Sequence, residues 1–148
     1  MYTTICDPEI MKTMLPEDFP ADKLSQPKYD MIVEKNVYVT MRDGIKVAVD
    51  VFRPDAEGEF PAIFMSTGYM KEMTHHLSDI PTFHFVETND PYYFVSRGYV
   101  VTIQDQRGTG DSTEGTWEVY SEEVQNDLYD CIEWVAEQIG RASCRERV

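Results

Sequence analysis

The sequence predicts an α/β fold in which an antiparallel hairpin leads into parallel strands joined by crossover helices. Three observations carry that expectation. Apolar residues alternate on both sides of Asp43-Gly44. Two short, continuous apolar runs follow, at residues 61–65 and 99–103. A single apolar stripe then marks a helix near the C-terminal end.

Residues 1–29 hold four of the eight prolines, Pro8, Pro16, Pro20 and Pro27, and are expected to be an irregular lead-in with at most a helical turn near residues 8–15. Regular structure is expected from about Tyr29. Val37, Val39 and Met41 alternate with Tyr38 and Thr40; after the Asp43-Gly44 turn, Ile45, Val47, Val49 and Val51 alternate with Lys46, Ala48 and Asp50. Period-2 alternation on both sides of such a dipeptide is a hairpin signature, and Pro54 ends the second strand.

The character then changes. Residues 61–65 (PAIFM) and 99–103 (YVVTI) are apolar without alternation, as in strands covered on both faces. Between them, residues 91–97 followed by Gly98 predict a short helix with glycine at its C′ position. Strand, helix, strand in this order implies a right-handed parallel crossover. A glycine-rich turn follows. Ser121 then caps a longer helix, with Glu122 and Glu123 in the first turn, where the helix dipole favours anions. Val124, Leu128, Cys131, Ile132 and Val135 form its stripe, and Trp134 extends one edge.

At 148 residues the chain suits one modest domain. Its formal charge of −14 disfavours nucleic acid and anionic membranes as partners, because both are polyanions. No stretch approaches the apolar length of a membrane span. The first fifteen residues include Asp7, Glu9 and Lys12 and lack the form of a secretory signal, which leads to a cytoplasmic expectation. Cys6, Cys131 and Cys144 show no metal-type spacing and suggest no disulfide framework.

The last ten residues, IGRASCRERV (139–148), are basic and aperiodic after an acidic amphipathic helix. All ten are similar to the translation of a common sequencing-library adapter, whose two preceding bases also fit a codon for Gln138. On that reading residues 139–148 are excluded from fold reasoning, and the remainder carries −16 because the tail holds three arginines and one glutamate.

A hairpin leading into a parallel sheet is an opening used by α/β-hydrolase domains. Such a domain presents its serine in G-x-S-x-G on a strand-to-helix turn, and no such string occurs among the 148 residues. Ser66 and Ser112 sit in other contexts and read as turn residues. Gly108-Thr109-Gly110 follows a strand, but a dinucleotide fingerprint needs a third glycine where Thr113 stands. A P-loop needs Gly-Lys-Ser/Thr, and Asp105, Asp111 and Glu114 would repel phosphate. A tight turn with Arg107 paired to a carboxylate is the expectation. His75, His76 and His84 lack metal spacing and are placed in a long exposed loop, residues 71–89; a catalytic histidine in this fold comes later in the chain. Tyr69 follows the first parallel strand in Ser66-Thr67-Gly68-Tyr69, in the loop that supplies part of the oxyanion hole. By position alone it is either an oxyanion donor, approached closely past Gly68, or one packed loop tyrosine among nine.

Residues 37–54 (VYVTMRDGIKVAVDVFRP) and 97–115 (RGYVVTIQDQRGTGDSTEG), with the helix at 123–134, resemble the CocE/NonD family of cocaine-esterase and X-prolyl dipeptidyl-peptidase-like serine hydrolases. The resemblance spans about residues 30–137, so the expected organisation is lead-in 1–29, hydrolase segment 30–138 and tail 139–148. It implies that Tyr69 completes the oxyanion hole and that the substrate is a small ester or peptide, cleaved without cofactor or metal. It also implies that the chain is the N-terminal part of a hydrolase cut before its nucleophile elbow, acid and histidine, and therefore inactive alone. The alternative is a non-catalytic acidic binding module that uses an exposed sheet edge.

Overall fold

The computed structural model describes residues 25–72 and 91–139. The possible helical turn at 8–15, Cys6, Cys144, the three histidines and residues 140–148 lie outside the described residues. Four strands form one mixed sheet: β1 (Met31–Thr40), β2 (Lys46–Pro54), β3 (Ala62–Thr67) and β4 (Val100–Asp105), in the order β1-β2-β4-β3. A short helix, α1 (Pro91–Val95), lies between β3 and β4 in sequence, and a long one, α2 (Glu122–Ile139), follows β4.

The hairpin forms at Asp43-Gly44 as expected. β1 and β2 pair antiparallel from Thr40↔Lys46 to Met31↔Pro54, with a register shift between Glu34 and Val37. Asn36 sits in that bulge at φ 55°, and its N–H donates to Asp50 Oδ1 at 2.9 Å. β2 then pairs antiparallel with β4, and β4 pairs parallel with β3 from Ala62↔Val100 to Thr67↔Asp105. The two continuous apolar runs are therefore the parallel pair.

The sheet is apolar on both faces. Val47, Val49, Val51 and Val100 pack with Cys131 and Trp134 of α2 on one side. Phe52, Met65, Val101 and Ile103 pack with Phe94 and Val95 of α1 on the other. This departs from the alternation expected of β2, where Ala48 and Asp50 are buried along with the valines. An interior strand with a helix on each face has no solvent side, so alternation in its sequence separates two cores instead of core from water.

The helices follow their sequence signals with local differences. The α-helical hydrogen bonding of α1 stops at Val95, yet the turn continues to Arg97. Gly98 N–H donates to Val95 C=O at 3.0 Å and Tyr99 N–H to Phe94 C=O at 3.2 Å, which is a Schellman cap with Gly98 at C′. Ser121 caps α2 through its Oγ, which accepts Val124 N–H at 3.3 Å. On α2 the buried positions are Val124, Asp127, Cys131 and Val135, while Ile132 is 49% exposed. Asp127 lies at the i+3 position of the stripe because it meets Arg107. Arg107 Nε and Nη2 donate to its two oxygens at 2.7 and 2.6 Å, and Asp43 of the hairpin turn lies 2.9 Å from Nη2. One guanidinium thus ties the turn after β4 to α2 and to the β1–β2 hairpin. Cys131 is a free thiol, and burial followed by the charges of Asp127 and Asp130 pushes its pKa up to about 12, so it is unreactive near neutral pH. No helix among the described residues is long and apolar enough to cross a membrane.

Removing one partner of a buried ion pair strands the other charge. Arg107→Met is expected to lower the unfolding free energy by about 3–5 kcal/mol, with Arg107→Lys recovering only part because it lacks the two-pronged fork. Urea titration checks this, and a loss below about 1 kcal/mol would show the bridge to be peripheral. A second expectation concerns pH. Asp130 receives the Arg42 main-chain N–H at 2.9 Å and its guanidinium at 2.6 Å, and the latter contact chiefly holds its carboxyl below the ordinary range. A lowered native pKa gives stability that is complete above the unfolded value of about 3.9 and is lost as pH falls through the native value. Asp130→Asn should therefore flatten the acid limb of a urea-midpoint-against-pH curve; parallel limbs would contradict the assignment.

Candidate active-site segment at the carboxyl ends of β3 and β4

The parallel strands β3 and β4 end side by side at Thr67 and Asp105, and the loops beyond them carry the unusual chemistry. In the first loop, Thr67 Oγ1 accepts the Tyr69 N–H at 3.0 Å, folding the chain back over Gly68. Tyr69 itself is 60% exposed. Met70 is left-handed at φ 69°, a conformation uncommon outside glycine. The next residue, Lys71, returns inward and is only 1% exposed.

Asp105 receives that return. Its Oδ1 accepts the Lys71 main-chain N–H at 2.6 Å, and its Oδ2 accepts Lys71 Nζ at 3.2 Å and the Asp111 main-chain N–H at 2.9 Å. Lys71 Nζ also donates to the Asp111 carboxylate and lies 3.7 Å from Asp50 Oδ1. Burial alone would pull the Lys71 pKa down, but the Asp111 hydrogen bond and the charges of Asp105 and Asp50 outweigh it, and the net direction is up. The same contact lowers the Asp111 pKa. Lys71 is thus a fixed cation, and its amine is not available as a base or a nucleophile.

The glycine-rich loop after β4 is a tight structural turn, as the sequence indicated. Gly108 N–H donates to Glu114 C=O at 2.9 Å, and Ser112 N–H to Thr109 C=O at 2.8 Å. Ser112 Oγ donates to Asp105 C=O at 2.7 Å and accepts Ala48 N–H at 2.8 Å, so this buried hydroxyl joins β2 to the turn. Ser66 points to the α2 side of the sheet with a buried hydroxyl. Neither serine stands on a strand-to-helix elbow.

Trp117 closes the site from the far side. Its Nε1–H donates to Gln106 Oε1 at 2.6 Å, its ring meets Tyr69 edge-on with centroids 6.2 Å apart, and its indole lies against Gly68. A Cβ on Gly68 would come within 2.7 Å of that indole, so glycine is required there by close approach. The Tyr69 loop is therefore held from two sides, by Trp117 and by Lys71. The pairing of Arg107 with a carboxylate and the position of Tyr69 just beyond the end of β3 were legible in the sequence. Lys71, Asp50 and Trp117 were not; a lysine directly after a candidate oxyanion loop with aspartates across the sheet was the available signal. Among the described residues no group of His, Cys, Asp or Glu is arranged to hold a metal ion.

A mixed sheet with this hairpin opening, and a tyrosine loop at the carboxyl end of its first parallel strand, defines the N-terminal part of an α/β-hydrolase domain. Residues 43–148 match the family model described as X-Pro dipeptidyl-peptidase (S15 family), and the chain belongs to that family. It is 38% identical over 106 residues to a cocaine esterase from Rhodococcus sp., covering 72% of this chain and 17% of the esterase. It also superposes on a CocE/NonD family hydrolase from Staphylococcus aureus with a TM-score of 0.62 and 37% identity, covering 74% of this chain and 21% of that one. An α-amino acid ester hydrolase at 22% identity and a TM-score of 0.55 shares the fold. The chain thus spans about a fifth of the length of these relatives.

Gly68→Ala is expected to dislodge the indole. In a Trp134→Phe background, where Trp117 is the remaining tryptophan, its emission should shift to the red, and stability should fall by about 1–3 kcal/mol. Unchanged emission with an unchanged urea midpoint would mean that the indole is not seated on Gly68.

Proposed function

We propose that this chain forms the opening part of the catalytic domain of a serine hydrolase that cleaves esters or amides through an acyl-enzyme, with peptides that begin X-Pro, from which the X-Pro dipeptide is released, as one substrate class. The carrying observation is the exposed Tyr69 phenol on a rigidly held loop at the carboxyl end of β3, in a chain of this family. When a serine attacks a carbonyl, negative charge collects on the carbonyl oxygen, and donors already aimed at that point lower the barrier. A phenol O–H is such a donor. Its N–H is bonded to Thr67, so the hydroxyl is the group this residue offers.

The 148 residues include no G-x-S-x-G string, and neither Ser66 nor Ser112 is presented as a nucleophile, so the chain by itself is expected to be inactive. Purified chain should not hydrolyse p-nitrophenyl acetate or alanyl-prolyl-p-nitroanilide above buffer, and a fluorophosphonate should label no serine. Tyr69-dependent turnover, or labelling of Ser66 or Ser112, would overturn this. In an intact hydrolase carrying the segment, Tyr69→Phe should lower kcat by about 10²–10³ with little change in KM. An undiminished kcat would remove Tyr69 from the oxyanion hole.

A further inference from the structure

We infer that Lys71 is the positioning residue for Tyr69: its buried ammonium, held by carboxylates from three segments, sets where the phenol points. This rests on the oxyanion-hole reading of Tyr69 for its catalytic meaning, and on geometry alone for the positioning.

The three carboxylates have separate origins. Asp50 lies on β2, Asp105 at the end of β4, and Asp111 in the glycine-rich turn. A hydrocarbon chain could fill the same volume without desolvating an ammonium. What a hydrocarbon cannot do is register against three carboxylates at once, and so locate the loop relative to β2, β4 and the turn. Asp105 contributes twice, because its other oxygen holds the Lys71 main-chain N–H. Tyr69 is two residues away across Met70, whose left-handed backbone sends one neighbour outward and the other inward. A left-handed non-glycine residue persists where its surroundings over-determine it, and the Lys71 cluster supplies that determination on one side. On the other, the Trp117 ring meets the Tyr69 ring edge-on with centroids 6.2 Å apart.

The test uses the 148-residue chain with 3-fluorotyrosine at position 69, Lys71→Met, Lys71→Arg and Asp111→Asn variants, and 19F NMR. The expected result is a single line displaced by the Trp117 ring in the parent and in Lys71→Arg. In Lys71→Met it moves to the position of free fluorotyrosine or splits, and in Asp111→Asn it moves part of the way. Circular dichroism reports whether each variant folds. If Lys71→Met does not fold, Asp111→Asn decides, because Asp111 is partly exposed and its loss empties no core. An unchanged Tyr69 line in the folded neutral variants overturns the inference. In an intact hydrolase carrying the segment, Lys71→Met should lower kcat about ten- to a hundredfold with KM within about twofold. Adding it to Tyr69→Phe should have little further effect. Additive losses would show that Lys71 does not act through Tyr69. If Tyr69→Phe leaves kcat unchanged, the oxyanion reading falls, and the 19F result alone decides whether Lys71 orients the ring.

Discussion

The carboxylate of Asp105, at the end of the central strand β4, is the constraint around which the rest of the site is arranged. A buried carboxylate is tolerated only where donors replace the water it has lost. Asp105 takes the main-chain N–H of Lys71 from one loop, the main-chain N–H of Asp111 from another, and the Lys71 ammonium between them. Its own carbonyl accepts the Ser112 hydroxyl, whose oxygen in turn accepts a main-chain N–H of β2. Each loop that crosses the end of the sheet is thereby referred to one side chain on a strand that neighbours hold on both edges. The glycine-rich turn follows from the same demand. Gly110 has no side chain where Asp105 must pass, and a Cβ there would overlap the carboxylate.

A second charged bridge works two residues further along. Asp105 turns to the face that carries α1, whereas Arg107 reaches Asp127 of α2 and Asp43 of the hairpin. The sheet itself is held by apolar packing on both faces, which is strong but not directional. The ionic contacts at its carboxyl end add direction: they fix the α2 rotation that buries Asp127, and the depth at which the Tyr69 loop sits. Buried ion pairs contribute little net stability compared with hydrocarbon of the same volume. Their contribution here is geometry: they set how the loops at the carboxyl ends of β3 and β4 lie relative to the sheet.

Trp117 completes the frame from solvent. The indole is tied by its N–H to Gln106, packs on Gly68 and faces the Tyr69 ring, so the main chain between β3 and Lys71 is clamped between an aromatic plane and a salt cluster. The Tyr69 side chain lies between the two clamps and is 60% exposed.

The sequence by itself determined the elements and most of their partners. The hairpin at Asp43-Gly44, the parallel pair drawn from the two apolar runs, the glycine cap of α1, the Ser121 cap of α2 and the pairing of Arg107 with a carboxylate all follow from local rules that act within a few residues. Tyr69 was visible for the same reason, since its place is set by its distance from a strand end. What only the tertiary structure decided was which residues of opposite character share a site. β2 reads as a strand with one wet face, yet Asp50 is buried, because a helix covers each side of the sheet. Ile132 continues the apolar stripe of α2 in sequence, yet Asp127 takes the buried place, because Arg107 waits opposite it. Lys71 reads as a loop lysine and becomes the most enclosed cation of the site, because carboxylates 21, 34 and 40 positions away converge on it. Periodicity and turn chemistry are local and survive in one dimension. The burial of a charge depends on partners that only the folded sheet brings together.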